Sequence, residues 1–170
     1  AEAEILRYVP QAWPYQVAQP KRVLLLGEVS ATNVWLALQN GAEVVTVVQP
    51  YTPITDVFKK NLRPPFDRSN VRMVTIDPRT FLERTHDRFD LIQIAEAEGM
   101  PASTGALASL REDYLLTVRA MEVALGALTD GGMIVATRGL QTPPRDNIRL
   151  FALFAAAISN WSDEVISAHL

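Results

Sequence analysis

The chain has 170 residues, of which 48% are hydrophobic and 21% charged, a composition typical of one globular domain with a substantial core. Its formal net charge of -3 and its scattered basic residues offer no surface for phosphate backbones, so we expect no nucleic acid partner. The chain lacks cysteine, and its two histidines, His86 and His169, lie far apart, so we predict no metal site and place both histidines at the surface. The longest apolar stretch, LFALFAAAI from Leu150 to Ile158, is far shorter than the roughly 20 residues of a membrane span, which predicts a soluble, cytoplasmic domain.

The first 20 residues contain three prolines and show no regular period. We interpret them as a lead-in segment before a domain that runs from residue 21 to residue 170. No basic patch accompanies Trp13, Tyr15 and Trp35, which favours packing between the lead-in segment and the sheet over base stacking. The chain stops within EVISAHL, which is typical of a strand that is just starting, so we expect a piece of a longer protein.

Five short apolar runs rich in β-branched residues follow from Arg22, separated by stretches of helical period. They predict strands over residues 22–27, 43–49, 71–77, 89–95 and 133–139. Because these runs are apolar almost throughout, we expect helices to cover both faces of the sheet that they form.

The stretches between the runs predict helices over residues 31–39, 56–62, 79–84 and 112–128, and a last helix after Thr142. The helix over residues 112–128 has one apolar stripe, made of Tyr114, Val118, Met121, Leu125 and Leu128, and TDGG ends it. The last helix has a stripe of Ile148, Phe151, Ala155 and Ile158. Strands and helices that alternate in this way predict a doubly wound α/β domain with a mostly parallel sheet and helices on both faces.

Ligands of such sheets bind beyond the carboxyl ends of the strands, where the strand order reverses. That rule selects four loops as the candidate site: residues 27–31, 49–50, 77–79 and 95–101.

Three motifs carry a family resemblance: DPRTFL after the third strand, FDLIQI as the fourth strand, and LTDGG at the end of the long helix. With the order of strands, they resemble the spermidine synthase (polyamine aminopropyltransferase) family of the class I S-adenosylmethionine-dependent methyltransferase superfamily, from about Pro20 to the end of the chain. LREDYLLTVRAMEVAL and ATRGLQTPPRDNIRLFALFAAAI resemble the spermidine-synthase-like domains of larger, often membrane-associated bacterial proteins. The resemblance implies a Rossmann-like fold of the class I methyltransferase type, a small-molecule amine and the rest of a longer parent chain as partners, and it is compatible with a homodimer.

The resemblance also implies contacts with S-adenosylmethionine or its decarboxylated form, and several of these positions depart from the family pattern. The family's first loop is glycine-rich so that the cofactor lies against bare backbone, but here only Gly27 remains, followed by Glu28 and Val29. We expect Val29 to narrow the pocket. Gln49 stands where the family has an acid that accepts hydrogen bonds from the ribose, so the loss of charge should weaken binding.

At the third and fourth strands the resemblance implies one retained position and one lost position. Asp77 aligns with the acid that faces the adenine amino group, and it is equally suited to cap the helix that follows. Ala95 stands where the family has an aspartate that helps to deprotonate the attacking amine. Glu96 and Glu98 remain as catalytic candidates, because a cationic polyamine must be attracted by carboxylates and then lose a proton.

A simpler interpretation of Glu28, Glu96 and Glu98 is that they are solvated loop acids, and we expect the loop after the first strand to lie outside the core. Three departures, at residues 28–30, Gln49 and Ala95, favour a spermidine-synthase-like domain with weakened or lost transferase activity. Such a domain would act as a ligand-sensing or interaction module in a larger protein. The alternative is an active methyl- or aminopropyltransferase that uses S-adenosylmethionine or decarboxylated S-adenosylmethionine on an amine-bearing small molecule.

Overall fold

The structure is a computed structural model, and it describes residues 6, 8–95, 115–137 and 142–168, without the side chains of residues 146 and 163–168. The elements in chain order are a 3-10 helix (Pro10–Ala12), α1 (Trp13–Ala18), β1 (Arg22–Leu26), α2 (Thr32–Gln39), β2 (Val44–Val48), α3 (Thr52–Asn61), α4 (Arg63–Phe66), β3 (Val71–Val74), α5 (Pro78–Arg84), β4 (Phe89–Ile94), α6 (Val118–Gly126), β5 (Leu128–Ala136) and α7 (Arg145–Ala168).

The five strands form one sheet in the order β3-β2-β1-β4-β5, and every neighbouring pair is parallel. At the centre, Leu24 of β1 lies opposite Thr46 of β2 on one side and Ile92 of β4 on the other. The order runs outward from β1 to β3 and then restarts on the other side of β1 with β4, so the reversal lies between β1 and β4. The predicted doubly wound α/β fold is confirmed.

Helices pack on both faces of the sheet, because side chains alternate along each strand and both sets are apolar. On one face Val23 and Leu25 of β1 meet α1 and α2, with Tyr15 and Leu36 buried among them. On the other face the neighbouring strand residues Leu24 and Leu26 belong to a core formed with α5, α6 and α7. The remaining members of this second core include Phe81, Leu82, Ile92, Met121 and Ala157.

The lead-in segment is more ordered than its sequence indicates. Residues 10–18 are helical, and Ala12 and Tyr15 are buried against the sheet, so packing of Tyr15 on the domain is confirmed. Trp13, by contrast, is 59% exposed. Trp35 lies under the guanidinium of Arg68, 5.4 Å from its ring centroid. Two prolines interrupt the periodicity here, and one of them, Pro14, occupies the first turn of α1, where it has no donor to lose.

The fifth strand begins earlier than predicted, and the preceding helix ends earlier. Helix α6 ends at Gly126, and Leu128 lies in β5 rather than at the end of a helical stripe. TDGG, which we expected to end the helix, forms a bulge in β5, because Leu128 pairs with Phe89 whereas Met133 pairs with Leu91. Gly132 suits this bulge, since a Cβ there would meet the carbonyl oxygen of Thr129 at 2.9 Å.

The last helix differs from the sequence prediction in length and in orientation. It continues through EVIS to Ala168, so the predicted start of a strand at this point is wrong. The predicted stripe is exposed, at 63% for Ile148, 75% for Phe151 and 52% for Ile158. The residues that pack on the second core are Leu153, Phe154 and Ala157. Helix α7 is apolar on two faces, so its period alone could not decide which face is buried.

Asp90 links neighbouring strands at the amino-terminal edge of the sheet, opposite the edge where the strands end. Its Oδ2 accepts hydrogen bonds from the backbone nitrogens of Lys21 and Arg22, both at 2.8 Å. Its Oδ1 accepts from the hydroxyl of Thr129, also at 2.8 Å. One carboxylate therefore joins the starts of β1, β4 and β5.

We expect Asp90→Ala to lower the free energy of unfolding by about 2 kcal/mol, because it removes three hydrogen bonds to a charged acceptor at a partly exposed site. Urea unfolding at neutral pH measures the change. Asp130→Ala, at an exposed aspartate in β5, is the matched control. Equal stabilities of the two variants would contradict the role assigned to Asp90.

Candidate functional site

The predicted cofactor-facing positions lie along the carboxyl-terminal edge of the sheet. The backbone nitrogen of Gly27 donates to the carbonyl oxygen of Val48 at 2.9 Å, and that of Ala95 donates to Leu26 at 2.9 Å. The backbone nitrogen of Gln49 donates to Val74 at 3.1 Å. These bonds continue the strand ladders by one residue, so Gly27, Gln49 and Ala95 stand side by side. Their placement at one edge follows the prediction, whereas their part in binding a cofactor stays a prediction.

The loop after β1 turns at Gly27, whose φ of 75° lies in the region that favours glycine. Val29 is 50% exposed, so its side chain lies at the surface of the loop. The hydroxyl of Ser30 accepts a hydrogen bond from the backbone nitrogen of Thr32 at 3.2 Å, at the start of α2. Glu28, the next residue after Gly27, is turned away from solvent.

Glu28 is buried, and our expectation of a solvated acid in a loop outside the core was wrong. Its side chain is 1% exposed. Oε1 accepts hydrogen bonds from the backbone nitrogen of Ser30 at 3.2 Å and from its hydroxyl at 3.0 Å, and Oε2 accepts from Asn33 Nδ2 at 2.7 Å. Burial raises the pKa of the Glu28 carboxyl, and the hydrogen bonds from Asn33 and Ser30 oppose that rise without cancelling it.

A chain of polar side chains leads from Glu28 to the lead-in segment. Asn33 Oδ1 accepts a hydrogen bond from Gln93 Nε2 at 3.0 Å. Gln93 Oε1 in turn accepts from the hydroxyl of Tyr15 at 2.6 Å. Burial, and then the negative charge of Glu28, raise the pKa of the Tyr15 hydroxyl, so the phenol keeps its proton. We call Tyr15, Gln93, Asn33 and Glu28 the edge relay.

Gln49 is also closed to solvent, at 1% exposed. Its Nε2 donates to the backbone carbonyl of Glu28 at 2.8 Å. Its Oε1 accepts from the backbone nitrogen of Tyr51 at 3.1 Å. Gln49 thus joins the loop after β1 to the chain that follows β2, and both of its amide atoms have partners in the protein.

Asp77 is exposed and caps α5, which was one of its two predicted roles. Its Oδ1 accepts hydrogen bonds from the backbone nitrogen of Thr80 at 2.9 Å and from the Thr80 hydroxyl at 3.0 Å. The cap leaves Oδ2 without a hydrogen-bond donor within the described chain, so the adenine role stays a prediction. Glu96 and Glu98, the catalytic candidates, lie outside the described residues.

The sequence predicted packing for Tyr15 but no polar role, and it predicted no role for Asn33 or Gln93. Gln93 carries a signal, because it is the polar residue among the apolar positions that end β4, and a buried amide requires partners. Asn33 and Tyr15 carry none, since an asparagine in a first helical turn and a tyrosine in an aperiodic segment are common at surfaces.

The cavity and the histidine of the described chain lie away from this edge. A cavity of about 510 Å³ lies at the amino-terminal edge, with Asp87, Arg88, Glu122 and Trp161 among its lining residues. His86 is exposed, as predicted, and His169 lies outside the described residues. Within residues 6–168 as described, no cluster of histidine and acidic side chains is suited to hold a metal ion.

Comparisons with known proteins bear on the fold. No protein-family model and no curated protein matches this sequence. Solved structures do match. The chain has a Rossmann-like fold of the class I methyltransferase type. A spermidine synthase from Thermotoga maritima is 19% identical over 95% of this chain and 50% of its own, with a TM-score of 0.62.

Two further structures show the same fold. A probable spermidine synthase from Corynebacterium glutamicum is 20% identical over 88% of this chain and 53% of its own, with a TM-score of 0.68. An O-methyltransferase from Bacillus cereus, solved in complex with SAH, is 16% identical over 91% of this chain and 69% of its own, with a TM-score of 0.59. The chain thus spans about half the length of the spermidine synthases that it resembles. None of the helices in the described part has the length and apolarity that a bilayer span requires.

The buried carboxyl of Glu28 predicts a pH-dependent stability. In the unfolded chain a glutamate ionises near pH 4.3, whereas the raised pKa keeps Glu28 protonated to higher pH in the folded chain. The folded state therefore binds more protons between these two pKa values, and the free energy of unfolding falls as pH rises through that window, by at most about 1.4 kcal/mol per pH unit.

Glu28→Gln should remove this slope, because glutamine does not ionise. Urea unfolding of both proteins from about pH 4 to pH 8 measures the difference. Glu43→Gln, at an exposed glutamate, controls for the loss of one negative charge. A stability difference between wild type and Glu28→Gln that stays constant with pH would contradict the prediction.

Proposed function

We propose that this chain is a spermidine-synthase-like domain with weakened or lost transferase activity, which acts as a ligand-sensing or interaction module within a larger protein. The main support for the proposal is that both side-chain amide atoms of Gln49 form hydrogen bonds within the protein. The resemblance assigns to this position the side chain that binds the ribose of the cofactor. A ribose hydroxyl would reach Gln49 only after the loop after β1 had moved away from it.

Glu28 supports the same conclusion. It follows Gly27 in the loop where the family has further glycines, and it is buried there. Withdrawing it would leave Asn33 Nδ2 and the Ser30 amide without their acceptor. The described residues at this edge therefore do not fit an adenosyl cofactor in the arrangement that the family uses.

An active transferase remains the competing function, and its chemistry would depend on the loop after β4. An adenosylmethionine-type cofactor would supply an electrophilic carbon, and the protein would position an amine for in-line attack and accept its proton. Glu96 and Glu98 are the candidates for attracting the amine. The fold shared with an O-methyltransferase solved with SAH makes such a cofactor chemically reasonable. The state of Gln49 and Glu28 favours the binding module.

Calorimetric titration distinguishes the two functions. We expect no saturable heat with S-adenosylmethionine, decarboxylated S-adenosylmethionine or methylthioadenosine up to about 1 mM, which corresponds to a binding free energy weaker than about -4 kcal/mol. Saturable binding of the first two in the micromolar range would instead support an active transferase.

A second experiment tests whether the loop after β1 closes the site. The triple variant Glu28→Gly, Val29→Gly, Gln49→Glu restores small residues and a carboxylate, and we expect measurable S-adenosylmethionine binding, with a gain of a few kcal/mol at most. Because Glu28 is part of the buried network, the triple variant should also lose about 2 kcal/mol of stability.

Gln49→Glu alone is the matched control, since it restores the charge but keeps Glu28 in place. The single variant should bind no better than wild type. If the triple variant folds by circular dichroism and binds nothing at millimolar ligand, the loop after β1 is not the cause. The loss would then lie in the loop after β4.

A further inference from the structure

With Glu28 ionised, the hydrogen bonds of the edge relay run in one direction. Tyr15 is the donor to Gln93 Oε1, so the amide of Gln93 must present Nε2 to Asn33 Oδ1. Asn33 must then present Nδ2 to Glu28 Oε2. The relay ends on a carboxylate, which accepts hydrogen bonds and has no proton to donate when ionised. Each member therefore fixes the orientation of the next.

The relay connects parts of the chain that are distant in sequence and that meet at the edge. Tyr15 lies on α1, Gln93 on β4 and Asn33 on the first turn of α2. Glu28 lies in the loop after β1, and its backbone carbonyl also binds Gln49 beyond β2. The loop that would have to move to admit a ligand is thus fastened, through three side-chain hydrogen bonds, to the segment that precedes the sheet.

No cation balances Glu28 within the described chain, where its carboxyl is hydrogen-bonded to Ser30 and Asn33, and its negative charge in turn raises the pKa of Tyr15. Hydrogen bonds alone stabilise the buried carboxylate of Glu28. The loss of one donor in the relay therefore weakens the remaining hydrogen bonds. With weaker hydrogen bonds, rotation of the Glu28 carboxylate into water is favoured. Outward rotation would release the loop from Asn33.

We infer that docking of α1 regulates the carboxyl-terminal edge: the docked Tyr15 keeps Glu28 turned inward and the loop after β1 closed, and release of Tyr15 opens that loop. The coupling itself is a property of the closed fold. That the opened edge admits a small-molecule ligand rests on the proposed function.

Hydrogen exchange on Tyr15→Phe tests the coupling. This change removes one hydroxyl and leaves the ring in its buried position. The reporter is the backbone amide of Ser30, which donates to Glu28 and has no hydrogen bond to Tyr15 among the described contacts. We expect its protection to fall about tenfold, the effect of losing one buried hydrogen bond. Tyr8→Phe, at a tyrosine that is 85% exposed, is the matched control and should leave it unchanged.

The reciprocal experiment uses Glu28→Gln and observes α1. The reporter is the amide of Gln19, which closes α1 by donating to the carbonyl oxygen of Tyr15 at 3.1 Å. Coupling requires faster exchange at Gln19 in this variant, because a free energy that links two sites acts in both directions. Amides of Val47 and Val48 in the sheet are the internal reference that separates local opening from global unfolding.

The coupling is overturned if Tyr15→Phe accelerates exchange only within α1 while Glu28→Gln accelerates it only in residues 27–33. If Tyr15→Phe fails to fold, the Glu28→Gln result alone decides between the two outcomes.

Methylthioadenosine, titrated into wild type and Tyr15→Phe, tests separately whether the edge binds a ligand. Tighter binding by Tyr15→Phe supports a regulated ligand site. Coupled exchange with no binding by either protein would retain the coupling and contradict ligand sensing at this edge.

Discussion

The buried carboxylate of Glu28 is the constraint on which the carboxyl-terminal edge depends. A carboxylate removed from water requires partners, and here Ser30 and Asn33 provide them in place of a cation. Meeting that requirement fixes the path of the loop after β1 and the side chain of Asn33 on α2. It also fixes Gln93 and Tyr15, because each amide has one orientation that satisfies both neighbours. The local geometry of four elements therefore follows from one charge.

Under the proposed function, the same constraint explains how a sheet of the methyltransferase type keeps its architecture while the polar groups at its carboxyl-terminal edge bind one another. The two apolar cores lie on the faces of the sheet, and Tyr15 is the member of the edge relay that belongs to one of them. The strand order still brings the tips of β1, β2 and β4 together. What differs is the use of the polar groups at those tips. They bind one another, and a group that already has its partners gains little from a ligand that offers the same bonds.

The sheet was predictable from sequence because its strands are short apolar runs of β-branched residues, bounded by turns, and five such runs with helices between them allow few other folds. The errors lie where the local pattern is ambiguous. TDGG is suited both to end a helix and to form a bulge, and only pairing of β5 with Phe89 and Leu91 decides between them. Helix α7 has two apolar faces, and contact with the second core selects Leu153 and Phe154 over Phe151. Burial of Glu28 was not predictable from sequence. Its carboxylate binds Asn33, but the relay then continues to Gln93 and Tyr15, which lie 78 positions apart in the chain.

Gln49 does more than remove a negative charge from this edge, because its amide also stabilises the loop after β1. A glutamate at this position would direct a carboxylate oxygen at the backbone carbonyl of Glu28, and two acceptors 2.8 Å apart repel each other. The amide removes that repulsion and replaces it with a hydrogen bond, so the loop after β1 can lie against β2. An acid at residue 49 would lose this hydrogen bond, although Ser30 and Asn33 would still hold Glu28 inward. Gln49 and the buried Glu28 therefore stabilise the same inward path of the loop after β1, one through the backbone carbonyl of Glu28 and the other through its carboxylate.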